Sequence, residues 1–257
     1  MTLQRNTFVD KHWLAGLIDG DGYFGLSKAG YPCLEVTSSS QDAFMFKNLQ
    51  ACYGGSVKPR AGTASIRWRL TKTMDLTYVL KLVNGKLRND IRKSQFAVVA
   101  QKLNLKVLPS ENFSWNNGYF AGLFDSDGKI TLSIKSHNAK HNLKGTQGKM
   151  ARLCAANQTQ LTIGVTQKYA RNLAFLKNAD FGHTVYDRNQ NGYTTWYVSS
   201  KKDVCFILDY FKVHPSQSVR SHRLALVPKL YTNIRQNPRL WVEFVQSWFK
   251  HKVQSEL

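Results

Sequence analysis

The chain writes one apolar run twice. Residues 13–24 read WLAGLIDGDGYF and residues 119–130 read YFAGLFDSDGKI, so that Asp21 and Asp127, the second acid of each copy, lie 106 residues apart. Further echoes sit at a longer, nearly constant offset. Trp68 matches Trp196, Tyr78-Val79-Leu80 matches Phe206-Ile207-Leu208, and Arg92 and Phe96 match Arg220 and Leu224, all at 128; Val36-Thr37 matches Val165-Thr166 at 129. One echo is chance, whereas several at one offset indicate tandem duplication. The longer offset implies an insertion of about 23 residues early in the second copy, expected in the basic, Asn/Gln/Gly-rich stretch near 135–160. A chain of 257 residues can bury one large core or two small ones, and a duplicated one folds most simply as two like halves. The expected halves are 1–108 and 109–257, with Pro109 and SENFSWNN (110–117) at the join.

Each copy reads coarsely as helix, two strands, helix, two strands, helix. Residues 9–20 and 115–126 predict short apolar helices. Ile130, Leu132 and Ile134 alternate with Thr131, Ser133 and Lys135, and Ile66, Trp68 and Leu70 alternate with Arg67, Arg69 and Thr71. Such alternation marks strands with one buried face. Asn189 to Gly192 reads as a hairpin turn into Tyr193–Ser199. Residues 41–52, 73–84, 92–105, 168–179, 201–212 and 217–233 read as helices, and the segment after Pro238 as one more amphipathic helix. This order implies an α+β fold with sheets covered by helices on one side. The uncovered faces would carry Arg67 and Arg69 in one half and their equivalents Thr195 and Tyr197 in the other.

Charge narrows the function. The chain holds 36 Lys and Arg against 16 Asp and Glu, a formal net charge of +20. Self-repulsion of that size is relieved by a polyanion, which puts nucleic acid ahead of simple solubility. No run of 18 apolar residues favours a membrane. The N-terminal MTLQRNTFVDKHW lacks an apolar signal core, and Cys33, Cys52, Cys154 and Cys205 are scattered without a C-x-x-C pair. A reducing, intracellular setting with free thiols is expected. His137, His141 and Cys154 lack zinc-finger spacing.

Gly16 and Gly20 are four apart and share a helix face; Gly122 and Ser126 repeat the arrangement. Small residues at that spacing let two helix backbones touch, by the logic of small-xxx-small packing. If helix 13–20 packs on helix 119–126, Asp21 and Asp127 meet at the pseudo-twofold axis. Carboxylates at helix C-termini are disfavoured, and two together more so. A divalent cation resolves the conflict, and hard oxygen ligands select Mg²⁺ over zinc. Asp21, Asp127 and the carbonyls of Gly20 and Ser126 are the expected ligands. Such a site can activate water and stabilise both oxygens of a phosphodiester undergoing displacement. An EF-hand does not fit: counting from Asp19 puts Phe24 and Gly30 where Gly and Glu belong, and from Asp125 the same positions hold Ile130 and Ser136. Asp19 and Asp125 read as structural acids that hold the turn.

These two segments resemble the signature motifs of the LAGLIDADG homing endonucleases in their single-chain, two-motif form. The resemblance implies paired αββαββα halves, saddle-shaped antiparallel sheets in the DNA major groove, and a metal-dependent double-strand cut leaving short 3′ overhangs. It makes Asp21 and Asp127 the essential metal-binding acids. Family members often carry a Gln after the second strand of each half, which Gln167 matches, with Arg171 beyond it. The first half places Ser38 and Asp42 at those positions, so unequal cutting of the two strands is expected. A basic residue before the last helix of each half points to Arg92 and Arg220, with Lys93 a substitute. Arginine keeps the charge without readily acting as a base, so its role would be transition-state or water-network stabilisation. Mg²⁺ is the expected cofactor, Mn²⁺ its substitute, and Ca²⁺ a binder that does not support cleavage.

The leading expectation is therefore a monomeric, sequence-specific endonuclease acting on double-stranded DNA, in a mitochondrion or chloroplast if an organelle intron encodes it. An intron RNA maturase is the alternative, and a non-cleaving DNA-binding regulator the third. Base reading on the sheet faces would use Arg–guanine and Gln/Asn–adenine pairs. In the first half the candidates are Lys28, Lys58, Arg60, Arg67 and Arg69. In the second they are Lys135, Arg188, Thr195 and Tyr197.

Overall fold

A computed structural model describes residues 10–135, 151–152, 158–177, 180–188, 192–232 and 237–253. Helix α1 (Lys11–Asp21) runs straight into β1 (Gly22–Leu26), followed by β2 (Pro32–Ser39), a 3-10 turn over Ser40–Asp42, α2 (Ala43–Tyr53), β3 (Ser56–Pro59), β4 (Ser65–Leu70), α3 (Thr73–Val83) and α4 (Asp90–Lys102). The second half repeats the plan with α5 (Tyr119–Asp127), β5 (Gly128–Lys135), β6 (Gln158–Gln167), a 3-10 segment over Ala170–Leu176, β7 (His183–Asp187), β8 (Tyr193–Val198), α6 (Lys201–Val213) and α7 (Arg220–Tyr231); α8 (Pro238–Val253) follows. Both sheets are antiparallel and four-stranded, in the orders β1-β2-β4-β3 and β5-β6-β8-β7. The register repeats as well: Val36 faces Trp68, and Val165 faces Trp196. The fold is α+β with two matching halves, as the duplication requires.

Each sheet buries one face. Ile66, Trp68 and Leu70 point into the core with Met45, Phe46 and Leu49 of α2 and Leu76, Val79 and Leu80 of α3. In the second half, Trp196 packs edge-on to Phe120 and beside Trp115 and Phe181. The opposite faces stay polar, with Glu35, Thr37, Arg67 and Arg69 on one sheet and Thr131, Thr162, Thr166, Thr195 and Tyr197 on the other. This is the period-2 alternation read from the sequence.

The two halves meet along α1 and α5. From Trp13 to Asp19 every residue of α1 is buried, and from Tyr119 to Ser126 every residue of α5. A helix that is buried all round needs neighbours on every side, which two sheets and a partner helix supply. The glycines permit the approach. A Cβ on Gly16 would overlap the carbonyl oxygen of Tyr119, and one on Gly122 would overlap that of Trp13. Asp10 ties the two N-terminal ends, accepting from the backbone N–H of His12 (2.8 Å) and of Gly118 (2.6 Å).

Two local expectations shift. The segment 168–179 forms a seven-residue 3-10 turn, Ala170–Leu176, not an α-helix. Its buried Leu173 and Leu176 are three apart and eclipse at three residues per turn, while a full helix would need a longer apolar face. Residues 115–118 are turns, and α5 begins at Tyr119 behind the N-cap Gly118. Most of the 135–160 insertion, His137, His141, Cys154 and the tip of the 189–192 hairpin lie outside the described residues.

Candidate active site

The helix pair ends in acid on both sides. Gly20 has no side chain, and Asp127 Oδ2 stands 2.6 Å from where a Cβ would sit there, so α5's acid lies against the end of α1. Burial pushes the Asp21 carboxyl up to about 7, and the charge of Asp127 adds to the rise; Arg220 and the Ser38 hydroxyl oppose it. Burial also raises Asp127 to about 6, against the pull of Arg220, Arg92, Ser126 and Gln167. Two carboxyls held against their preference in one place suit a cation. Oxygen donors of this kind fit a hard divalent ion. Among the described residues, no group of three or more His, Cys, Asp or Glu side chains forms a metal cluster.

The other motif acids cross-link the halves. Asp125 accepts from Trp13 Nε1 (2.8 Å), and Asp19 accepts from the Tyr119 hydroxyl (2.6 Å). Trp13 and Tyr119 occupy equivalent positions, so the two bonds are related by the pseudo-twofold. Asp125 also receives the Gln217 and Ser218 amides and the hydroxyls of Ser216 and Ser218. Asp19 receives the Arg88 amide (2.6 Å), but its Oδ1 has no partner, and burial pushes its carboxyl up to about 7. These acids thus hold more than a turn: they bolt the interface and anchor the segments leading into α4 and α7.

The helpers are unequal. Gln167 is buried and its amide donates to Asp127 Oδ2 (2.5 Å); Asn172 Nδ2 in turn donates to Gln167 Oε1 (3.3 Å). Ser38 donates to Asp42 Oδ2 (3.0 Å). Arg220 spends its guanidinium on the end of α5, donating from Nε to Gly128 O (2.8 Å), from Nη1 to Asp125 O (2.7 Å) and from Nη2 to Ser126 O (2.9 Å). Positive charge on exposed C-terminal carbonyls is the favourable pole of the helix dipole. Arg92 makes a looser set, Nη1 to Gln95 Oε1 (3.2 Å) and Nη2 to Gly20 O (3.4 Å), with a buried and unpartnered Nε. The Gly20 and Ser126 carbonyls, expected as metal ligands, therefore already accept from arginines; each oxygen retains a second lone pair. Arg171 sits apart from the acids, pairing with Asp90 at the start of α4 (3.3 Å) and lying over the Tyr169 ring.

A cleft of about 950 Å³ opens beside Asp21, lined by Ser38, Gln41, Asp42, Ser126, Lys129, Arg220, His222 and Arg223 among others. Sequence reading missed Lys129, His222 and Arg223 here, and Asn172 behind Gln167. The basic-rich helix start after the second-half match to Arg92 was the available signal for His222 and Arg223, and Lys129 directly follows the second motif, at the start of β5. Nothing local pointed to Asn172.

Of the residues expected on the sheet faces, Lys58 is exposed on β3, and Thr195 and Tyr197 on β8 are half-buried beside Thr166 and His183; Lys28, Arg60 and Arg188 are exposed in the loops just beyond β1, β3 and β7 instead. The Lys135 side chain lies outside the described set. Arg67 and Arg69 are not free: both are held by Glu35 on the neighbouring strand, at 3.0 and 2.9 Å.

Comparison with known proteins agrees with this architecture. The family model described as LAGLIDADG endonuclease matches residues 120–231. The chain is 34% identical over 262 residues to the "Probable intron-encoded endonuclease aI2" of Debaryomyces hansenii, covering 96% of this chain and 39% of that protein. It is 34% identical over 219 residues to the "Intron-encoded RNA maturase bI4" of Saccharomyces cerevisiae, covering 85% of this chain and 32% of that one. It thus spans only about a third of the length of these two relatives. The LAGLIDADG meganuclease I-AabMI, solved bound to uncleaved DNA, shares the fold with a TM-score of 0.66 at 17% identity, over 94% of this chain and 97% of that one. The chain belongs to the LAGLIDADG endonuclease family, in its single-chain form carrying two copies of the motif.

Proposed function

We propose that the chain is a DNA endonuclease that cuts both strands of a long double-stranded target, leaving short 3′ overhangs, with Asp21 and Asp127 holding a divalent cation. The observation that carries this reading is the pair of half-buried carboxyls at the abutting ends of α1 and α5, both raised by desolvation and edged by Arg220 and Arg92. The cation, Mg²⁺ or Mn²⁺, would supply water activation and charge neutralisation at the scissile phosphate. Gln167 orients Asp127 and presents an amide to nearby water. Arg220 and Arg92 hold the helix ends and put positive charge where the phosphate gains negative charge. The exposed sheet faces, with Lys58, Thr195 and Tyr197, and the loops at the strand ends, with Arg60 and Arg188, read the target and grip its backbone.

The test is selection of cleaved sites from a randomised DNA library with Mg²⁺, with Ca²⁺ as the non-cutting control. Asp21→Asn and Asp127→Asn should each abolish double-strand cleavage while keeping binding; cutting that survives either change overturns the assignment. A maturase role is the second reading, favoured by the yeast maturase at 34% identity over 85% of this chain. Tight binding to intron RNA, with no DNA sequence cut, would promote it.

A further inference from the structure

Asp42 stands where a capping carboxylate belongs but does not cap its own helix. It is 2% exposed and stands at the N-cap of α2, yet its side chain makes no bond to that helix. Its Oδ1 instead accepts from the backbone N–H of Val219 (3.0 Å), 177 residues away in the other half, while Oδ2 accepts from Ser38. Val219 is the N-cap of α7 and has no side-chain cap of its own. Asp42 therefore supplies, from across the interface, the negative group that the start of α7 wants. The next residue is Arg220, whose three nitrogens grip the end of α5. One carboxylate thus joins Ser38, the start of α7 and Arg220 along a single wall of the cleft.

The matching position in the other half works with reversed sign. Arg171 reaches across to Asp90, the first residue of α4, two residues before Arg92. That pair is solvated, with side chains 61% and 48% exposed, and Asp90 is shared with Lys93 at 2.7 Å. An exposed, shared ion pair fixes little. The arginines differ in the same sense: each guanidinium nitrogen of Arg220 makes a bond, whereas Arg92 has a long contact to Gly20 O and an unpartnered Nε.

We propose that Asp42 is a positioning residue that sets Arg220 from the opposite half, so that one of the two strand cuts depends on it and the other does not. The consequence for cutting rests on the endonuclease reading; the clamp itself does not. Two measurements test it, on full-length Asp42→Ala and Asp42→Asn proteins whose melting temperatures are recorded. The first is hydrogen exchange of the free protein. In Asp42→Ala the peptides spanning 216–224 should exchange faster while those spanning 88–94 keep the wild-type rate. Asp42→Asn, which keeps an acceptor for the Val219 N–H, should restore protection. The second is strand-resolved nicking of a plasmid carrying a library-selected site, with DNA affinity measured in Ca²⁺. Asp42→Ala should slow one strand by about tenfold or more, the other by less than about threefold, and leave affinity within about threefold. Exchange that rises over the whole chain, or not at all in 216–224, overturns the clamp. Equal slowing of both strands, or of neither, overturns the strand-specific role. A wild-type protein that cuts no DNA sinks the endonuclease reading instead, and hydrogen exchange still decides the clamp.

Discussion

Asp21→Asn should make the protein more stable and useless as a nuclease at the same time. The folded Asp21 carboxyl titrates at about 7 against an ordinary value of 3.8, because burial and then the charge of Asp127 disfavour its ionised form. A group raised in this way contributes stability that is present below about pH 4 and is lost as the pH climbs through about 7. At pH 8 without a cation, three pKa units correspond to about 4 kcal/mol, and the part of Asp21 open to the cleft reduces that to about 2–4 kcal/mol. Asparagine keeps the shape and removes the charge. For a chain of this size the gain is a melting temperature roughly 5–10 °C higher. The assay is thermal unfolding in EDTA at pH 8 and pH 5, repeated with Mg²⁺. The variant's advantage should be large at pH 8, shrink at pH 5 where wild-type Asp21 is protonated, and close with Mg²⁺, which binds the wild type better. A variant that melts no higher than wild type at pH 8 in EDTA refutes the reasoning. So does an advantage of the same size at both pH values.

Three further outcomes follow from other contacts. Gly122→Ala places a methyl on the Trp13 carbonyl, so chemical denaturation should show a loss of about 1–3 kcal/mol and cleavage should fall with it; unchanged stability would mean that α1 and α5 are not in contact. Gln167→Ser removes the donor to Asp127 Oδ2 and should slow one strand's nicking by roughly 10- to 100-fold, with DNA affinity in Ca²⁺ unchanged. Glu35→Gln releases Arg67 and Arg69, so DNA affinity should rise and the plot of log K against log salt should steepen by about one, as measured by fluorescence anisotropy.

The duplication carries the architecture in the sequence itself. Echoes such as Trp68 and Trp196 sit opposite Val36 and Val165 in the same register, and the glycines at 16 and 122 mark the contact between the halves. Alternation in 65–70 and 128–134 gave each sheet its faces. What stayed hidden depends on partners far away in sequence. Glu35 is an unremarkable strand acid until β2 pairs with β4 and brings it beside two arginines. Asp42 read as a mere replacement for an arginine, because its partner lies in the other copy. The 3-10 turn at 170–176 carries the same apolar spacing as one helical turn, and only packing separates the two.

The contact between α1 and α5 holds the halves together and also carries the acids. Trp13, Gly16, Asp19, Tyr119, Gly122 and Asp125 therefore answer to cohesion and chemistry at once, and a change at any of them registers in both. The outer faces of β4 and β8 answer to neither, since Arg67, Arg69, Thr195 and Tyr197 support no part of that contact. Over generations, such a chain can alter what those faces touch while the seam stays fixed. What the open faces contact can change without loosening the helix pair that sets Asp21 beside Asp127.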